Sequence, residues 1–268
     1  MTCSSKAAAS SSGSRSAPRF FPADSDYEAT ANAGLINACR EAGAGTLKSI
    51  PYQPFVVGVF YNQDIFDAAG IAAPPATWAE FLDACEKIKA AGYIPLTCDD
   101  AYLTLLIGYH LGRLIGEDEV VNLVNNGDWA ENPAALKMAE DYAQLASLGY
   151  ISPNLPSNVF PMGQNGEFAL GEVAMYLNGS WLPNEVKDIA GPDFRWGCFA
   201  YPAVDGGVTG IEAASFGSQV LAINNKSEVA AEAFEIIRYI TQGEYDAMLS
   251  EMSLGIPADS TNTEWPEV

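Results

Sequence analysis

At 268 residues the chain is long enough for one large domain or two smaller ones. Hydrophobic residues make up 49% of it and aromatics 11%, ample for a packed core, which excludes disorder of the whole chain. With 34 acidic against 13 basic side chains the net charge is −21, and no Lys/Arg cluster offsets it locally, which excludes nucleic acid and anionic lipid surfaces as partners.

Residues 1–18, MTCSSKAAASSSGSRSAP, are rich in Ser and Ala and read as a solvated linker. They lack the basic start and apolar core of a secretory signal. No apolar run approaches the roughly 18 residues of a membrane span. Residues 19 to about 49 show no sustained periodicity. Within them Asp24-Ser25-Asp26-Tyr27-Glu28 lacks the glycine and closing glutamate of a calcium loop, so a solvated acidic turn is expected.

From Pro51 the pattern becomes regular. Phe55–Phe60 (FVVGVF) predicts a strand buried on both faces. Thr77 and Glu80 form a capping box for a helix whose Trp78, Phe81, Leu82, Cys85 and Ile88 share one face, with Gly92 closing it. Tyr93–Thr97 predicts the next strand. Asn132 caps a helix with Pro133 first, carrying Leu136, Met138, Tyr142 and Leu145 and ending at Gly149. Val173–Leu177, Phe194–Pro202 and Gln219–Ile223 predict strands. Ser227 caps a last helix with Ala230, Phe234, Ile237 and Ile240 inward. Helices alternating with short apolar strands give an α/β fold.

Catalytic and cofactor chemistry finds little support. Gly43-Ala44-Gly45-Thr46 lacks the lysine of a P-loop, and no GxSxG elbow exists. No cofactor and no metal are expected, and no catalytic residues. The cysteines, Cys3, Cys39, Cys85, Cys98 and Cys198, show no metal-ligand spacing and are expected to be packed free thiols. The single histidine, His110, lies in LTLLIGYHLGRL and is expected to be a satisfied core residue. Asp99 and Asp100 follow a predicted strand end, where they either cap the next helix or meet a ligand.

Three segments carry a family resemblance in order. They are PYQPFVVGVFYNQDIFDAAGIAAPPATWAEF, GEFALGEVAMYLNGSW, and FGSQVLAINNKSEVAAEAFEIIRYIT closing with LGIPA. From Pro51 to about Ala258 the chain resembles the extracellular solute-binding proteins of ABC sugar importers, the group that includes maltose-binding protein. The resemblance implies a periplasmic-binding-protein-like fold of two α/β lobes that close on a ligand in the cleft between them. It implies residues 51–202 as the second lobe with the hinge crossover and 203–268 as the return into the first. Residues 19–50 are then a poorly matched remnant of the first lobe. The expectation is a truncated member, with its second lobe largely present and its first incomplete.

The resemblance also implies a function: carbohydrate binding and delivery to an ABC transporter permease, outside the cytoplasm, as a monomer. The alternatives are a remnant without ligand affinity and, for an acid pair at catalytic separation, a sugar-active hydrolase. Cys3 before a Ser-rich stretch is similar to the start of a processed bacterial lipoprotein, which would make it the lipid anchor. For the ligand, the resemblance points to Trp181 as a stacking platform, with Asp100 accepting hydroxyl protons and Tyr102 packing or donating. It adds Tyr52, Gln53 and Phe55 at the hinge, and Ser215, Phe216 and Gln219 where the chain re-enters the first lobe. A sugar's C–H face and hydroxyl rim require this mixture of aromatic planes and planar polar groups.

Overall fold

The structure is a computed structural model and describes residues 25–99 and 101–266. Its elements begin with α1 (Ser25–Thr30), α2 (Ala33–Ala42), β1 (Ile50–Asn62), α3 (Gln63–Ala68), α4 (Trp78–Ala90) and β2 (Ile94–Thr97). Then come α5 (Leu103–Ile115), α6 (Glu117–Asn126), α7 (Pro133–Ser147), α8 (Met162–Ala169) and β3 (Val173–Gly179). Last are α9 (Leu182–Ala190), β4 (Trp196–Phe199), β5 (Phe216–Leu221), α10 (Ala230–Thr241) and α11 (Gly243–Ser253). The chain divides into two compact units: Val57–Ser215, and the remainder up to Val56 and from Phe216 onward. The limits expected at 51 and 202 lie N-terminal to these, by the first half of β1 and by the segment after β4.

In the Val57–Ser215 unit the strands lie in the order β2-β3-β1-β4, with β2 and β3 parallel and the other pairs antiparallel. Every residue of β3 is buried, as its unbroken apolar run requires of a central strand. In β1 only the second half follows that rule: Val57–Phe60 are buried, whereas Phe55 is half-buried and Val56 exposed.

Local signals set the helix ends. Thr77 Oγ1 accepts from Glu80 N at 3.2 Å while Glu80 Oε2 accepts from Thr77 N at 3.0 Å, starting α4. Tyr93 N donates to Ile88 O and Gly92 N to Lys89 O, and Gly92 takes the φ of 93° that this Schellman closure needs. Asn132 Oδ1 accepts from the Ala134 and Ala135 amides to start α7. The buried stripe of α7 is Ala134, Met138, Asp141 and Leu145, so the expected inward Leu136 lies off it and is exposed. On α4, Ala84 is buried and Leu82 only half so.

His110, on α5, is a core residue as its apolar setting predicts. Its Nε2 meets Asp141 Oδ2 at 2.8 Å and its Nδ1 meets the Tyr201 hydroxyl at 2.9 Å. Trp78 lies edge-on to its ring at 4.6 Å, stacked in turn on Phe81 and Tyr201, so Trp78 is structural. Arg113, equally buried, gives Nε and Nη2 to the Tyr201 carbonyl. Tyr109 Oη donates to Val57 O and accepts from Ser215 N, each at 2.7 Å, and Val57 N donates to Ser215 O.

The second unit corrects three expectations. Residues 19–49, aperiodic in sequence, contain α1 and α2. The expected acidic turn is instead the start of α1, with Tyr27 buried and its hydroxyl 3.0 Å from Thr241 Oγ1. Tyr27, Ala31 and Ile36 bury themselves against Ile50, Phe234 and Ile237, a tertiary contact that their own spacing does not announce. Helix α10 begins at Ala230 rather than beside Ser227, whose Oγ accepts from Val229 N in the turn before it. Within this unit the first half of β1 pairs with β5. Asp246 on α11 accepts from the amides of Ala258 and Asp259 and from Asn262, and so holds the Ile256–Pro257–Ala258 segment.

Among the described cysteines Cys39, Cys85 and Cys98 are buried free thiols; Cys198 is exposed, because β4 ends its side of the sheet. Cys3 lies outside the described residues.

Burial pulls the His110 imidazole below its ordinary value, against the opposing pull of Asp141, so the fold holds it neutral. An unfolded histidine takes up a proton near pH 6.5, roughly, so stability is complete above that value and declines as the pH falls below it. Melting temperatures between pH 7.5 and 5 are expected to fall, with a shallower slope in His110→Gln; equal slopes would remove His110 as the cause. Asp246→Ala strands two buried amides and is expected to cost roughly 1–3 kcal/mol in chemical denaturation.

Candidate functional site

Parallel pairing puts the ends of β2 and β3 on one edge of the sheet. Thr97 stands opposite Tyr176, so the chain leaves both strands side by side. In α/β sheets this carboxyl edge is where ligand-contacting side chains collect. From β2 the chain reaches Tyr102; from β3 it reaches Trp181.

Asp99 sets the first of these turns. It is fully buried, and its Oδ1 accepts from Tyr102 N at 2.5 Å while Oδ2 accepts from Gln164 Nε2 of α8. Asp99 therefore holds the turn that leads into α5, while Tyr102 at the helix's N-cap makes no side-chain cap of its own. Asp100 lies outside the described residues. Burial, aided by the Glu185 and Asp99 carboxylates and opposed by a hydrogen bond with Trp181, pushes the Tyr102 phenol up to about 12. It is thus a neutral hydroxyl, able to donate and accept.

Gly179 sets the second turn. Trp181 folds back over the end of β3, and a Cβ at Gly179 would overlap its ring. The Tyr102 and Trp181 ring centroids are 6.5 Å apart. A third ring, missed in the sequence, completes the group: Phe160 packs edge-on to Tyr102 at 5.0 Å and remains 41% exposed. Its loop carries no motif, and an aromatic in VFPMG gives no sign of its partner. Of the other tryptophans, Trp196 packs on Phe168 and Phe194, while Trp129 is 39% exposed. Ser215 belongs to this unit as well, buried, with its backbone held by Tyr109 and Val57.

The remaining expected residues lie on the β1–β5 ladder of the second unit. Tyr52 pairs with Gln219, Phe55 with Gly217 and Val56 with Phe216. Gln53 has a φ of 44° and sits in the bulge where the register shifts between Tyr52 and Pro54. The Phe55 ring covers Gly217, where a Cβ would come within 2.8 Å of it. Phe216 and Gln219 are three residues apart on one strand and so point to opposite faces. The structure therefore brings Phe216, but not Gln219, to a pocket of 480 Å³ that Pro54, Ile256 and Trp265 line with Asn32 and Ser260.

Comparison of the chain with known proteins points to one family. The family model of the bacterial extracellular solute-binding proteins matches residues 17–247. The multiple sugar-binding protein of Streptococcus mutans is 30% identical over 245 residues, covering 83% of this chain and 57% of its own length. Among solved structures, a sugar transporter protein of Bacillus licheniformis in complex with stachyose superposes with a TM-score of 0.73. It is 20% identical, over 90% of this chain and 63% of its own. A manno-oligosaccharide-specific solute-binding protein of Bifidobacterium animalis, with mannotriose, gives 0.67 at 22% identity, over 90% and 57%. The chain spans about half the length of the curated relatives that match most of it. With its mixed α/β fold and a family match over most of its length, the chain belongs to the bacterial extracellular solute-binding proteins.

Proposed function

We propose that the protein binds a carbohydrate outside the cytoplasm and delivers it to the permease of an ABC importer. The observation that carries this reading is the pairing of Tyr102 and Trp181 at the carboxyl edge of β2 and β3, with the neutral Tyr102 hydroxyl at hand. Sugar rings offer C–H faces that stack on indole and phenol planes, and hydroxyls that need a polar edge. Relatives named for sugar binding, and fold neighbours solved with stachyose and mannotriose, support the same ligand class. No covalent step is required: recognition and release are equilibria, so the protein acts as a binder and not as an enzyme. The proposed role sets aside the remnant and hydrolase alternatives. Asp100, Tyr52, Gln53 and Phe216 are proposed as further ligand contacts.

Calorimetry with a panel of mono- and oligosaccharides tests the proposal. A sugar that binds the native chain also raises its melting temperature by mass action. Trp181→Ala is expected to weaken binding by about 10- to 100-fold, or roughly 1.4–2.8 kcal/mol, with the fold intact. Unchanged affinity would remove Trp181 from the site. Gly179→Ala leaves the indole present but displaces it, and is expected to shift tryptophan emission and lower affinity together. Unaltered emission and affinity would show that the ring does not depend on the bare backbone beneath it.

A further inference from the structure

Helix α8 turns three polar side chains, Gln164, Asn165 and Glu167, inward. Gln164 holds Asp99 and hence the Tyr102 turn, and Asn165 Nδ2 donates to Glu185 Oε2 on α9, the helix that Trp181 begins. Glu167 is 6% exposed and, among the described residues, pairs with no cation. Its carboxylate accepts from Ser152 Oγ at 2.6 Å, Asn154 Nδ2 at 2.8 Å, Asn158 Nδ2 at 3.0 Å and the Thr97 hydroxyl. Burial raises its pKa, but these four bonds together outweigh burial and keep the carboxyl below the ordinary range, ionised at neutral pH. Two residues beyond Asn158 stands Phe160, half in solvent and edge-on to Tyr102. One buried charge thus ties the 152–158 loop to the end of β2, and with it the position of Phe160.

Resting on the carbohydrate reading above, we propose that Glu167 is the positioning residue of the aromatic group, and that Phe160, which it holds in place, determines ligand length. Tyr102 and Trp181 suffice for one or two rings. Phe160, edge-on to Tyr102 and 41% exposed, adds apolar surface that a longer chain of sugars would cover.

The experiment compares wild type, Phe160→Ala and Glu167→Gln. In Glu167→Gln the new NH2 necessarily faces an asparagine Nδ2, a donor that cannot accept, so one tie to the 152–158 loop is lost while shape is conserved. Hydrogen exchange without ligand reads positioning alone: amides 152–163 are expected to exchange at least tenfold faster in Glu167→Gln, with β3 and α4 unchanged. Unchanged protection of the loop overturns the positioning role, whatever the ligand. Calorimetry with stachyose, mannotriose, galactose and mannose then reads specificity. Phe160→Ala and Glu167→Gln are each expected to weaken the oligosaccharides about tenfold and any monosaccharide by a smaller factor. Their double variant is expected to be no weaker than either alone, since both act through one ring. Equal losses for short and long sugars, or additive losses, overturn the length-determining role. If wild type binds none of the panel, the carbohydrate reading itself fails along with that role, while the exchange result still decides whether Glu167 holds the loop. Should Glu167→Gln fail to fold, Asn158→Ala removes one tie and carries the same expectations.

Discussion

The parallel pairing of β2 with β3 is the constraint on which the Val57–Ser215 unit depends. Parallel strands need a crossover, and here it is long: α5, α6, α7 and α8 all lie between β2 and β3. That crossover brings His110 and Tyr142 to the buried ring of Trp78, and it delivers α8 to the strand ends. The same pairing places the exits toward Tyr102 and Trp181 next to each other. The site and the core are two results of one register.

A shortage of cations shapes how the molecule buries its acids. With 34 acidic side chains and 13 basic ones, most carboxylates cannot have an ion-pair partner. The buried ones are held by neutral donors instead. Glu167 takes hydroxyls and amides, Asp99 a main-chain amide and Gln164, and Asp246 two main-chain amides and Asn262. Asp141, which takes both Lys137 and His110, departs from this pattern. Hydrogen bonds of this kind are directional, so each carboxylate fixes the segments around it in orientation as well as in distance. An acidic composition thereby becomes a source of rigidity in loops.

What the sequence disclosed was local chemistry. Thr77 with Glu80, Asn132 before Pro133, and the apolar run of β3 each satisfy their own backbone within a few residues, and such signals survive without tertiary knowledge. Tyr27, Ile36 and their helices were illegible because their burial depends on Phe234 and Ile237, some two hundred positions away. Of the proposed aromatic group, Trp181 and Tyr102 were named through family resemblance, whereas Phe160 was not, because only the folded 152–158 loop gives it a neighbour. Gln219 and Phe216 were named together where the chain re-enters the first lobe, and strand alternation points their side chains to opposite faces of β5. The polar run Gln164-Asn165-Gly166-Glu167 resembles a solvated turn in sequence, and it is inward only because the neighbouring segments offer it partners.

The Tyr109 hydroxyl touches both Val57 and Ser215, the first and last residues of their unit. The polypeptide thus enters and leaves this unit through one gate, bolted by a phenol and by the Val57–Ser215 amide bond to carbonyl. A stretch of chain whose ends meet is geometrically an insert. It can be spliced into a host loop, or have its ends joined and be reopened elsewhere, without stretching what lies between. The arrangement gives a physical reason why such a unit could be exchanged whole between relatives while the chain on either side of it diverged.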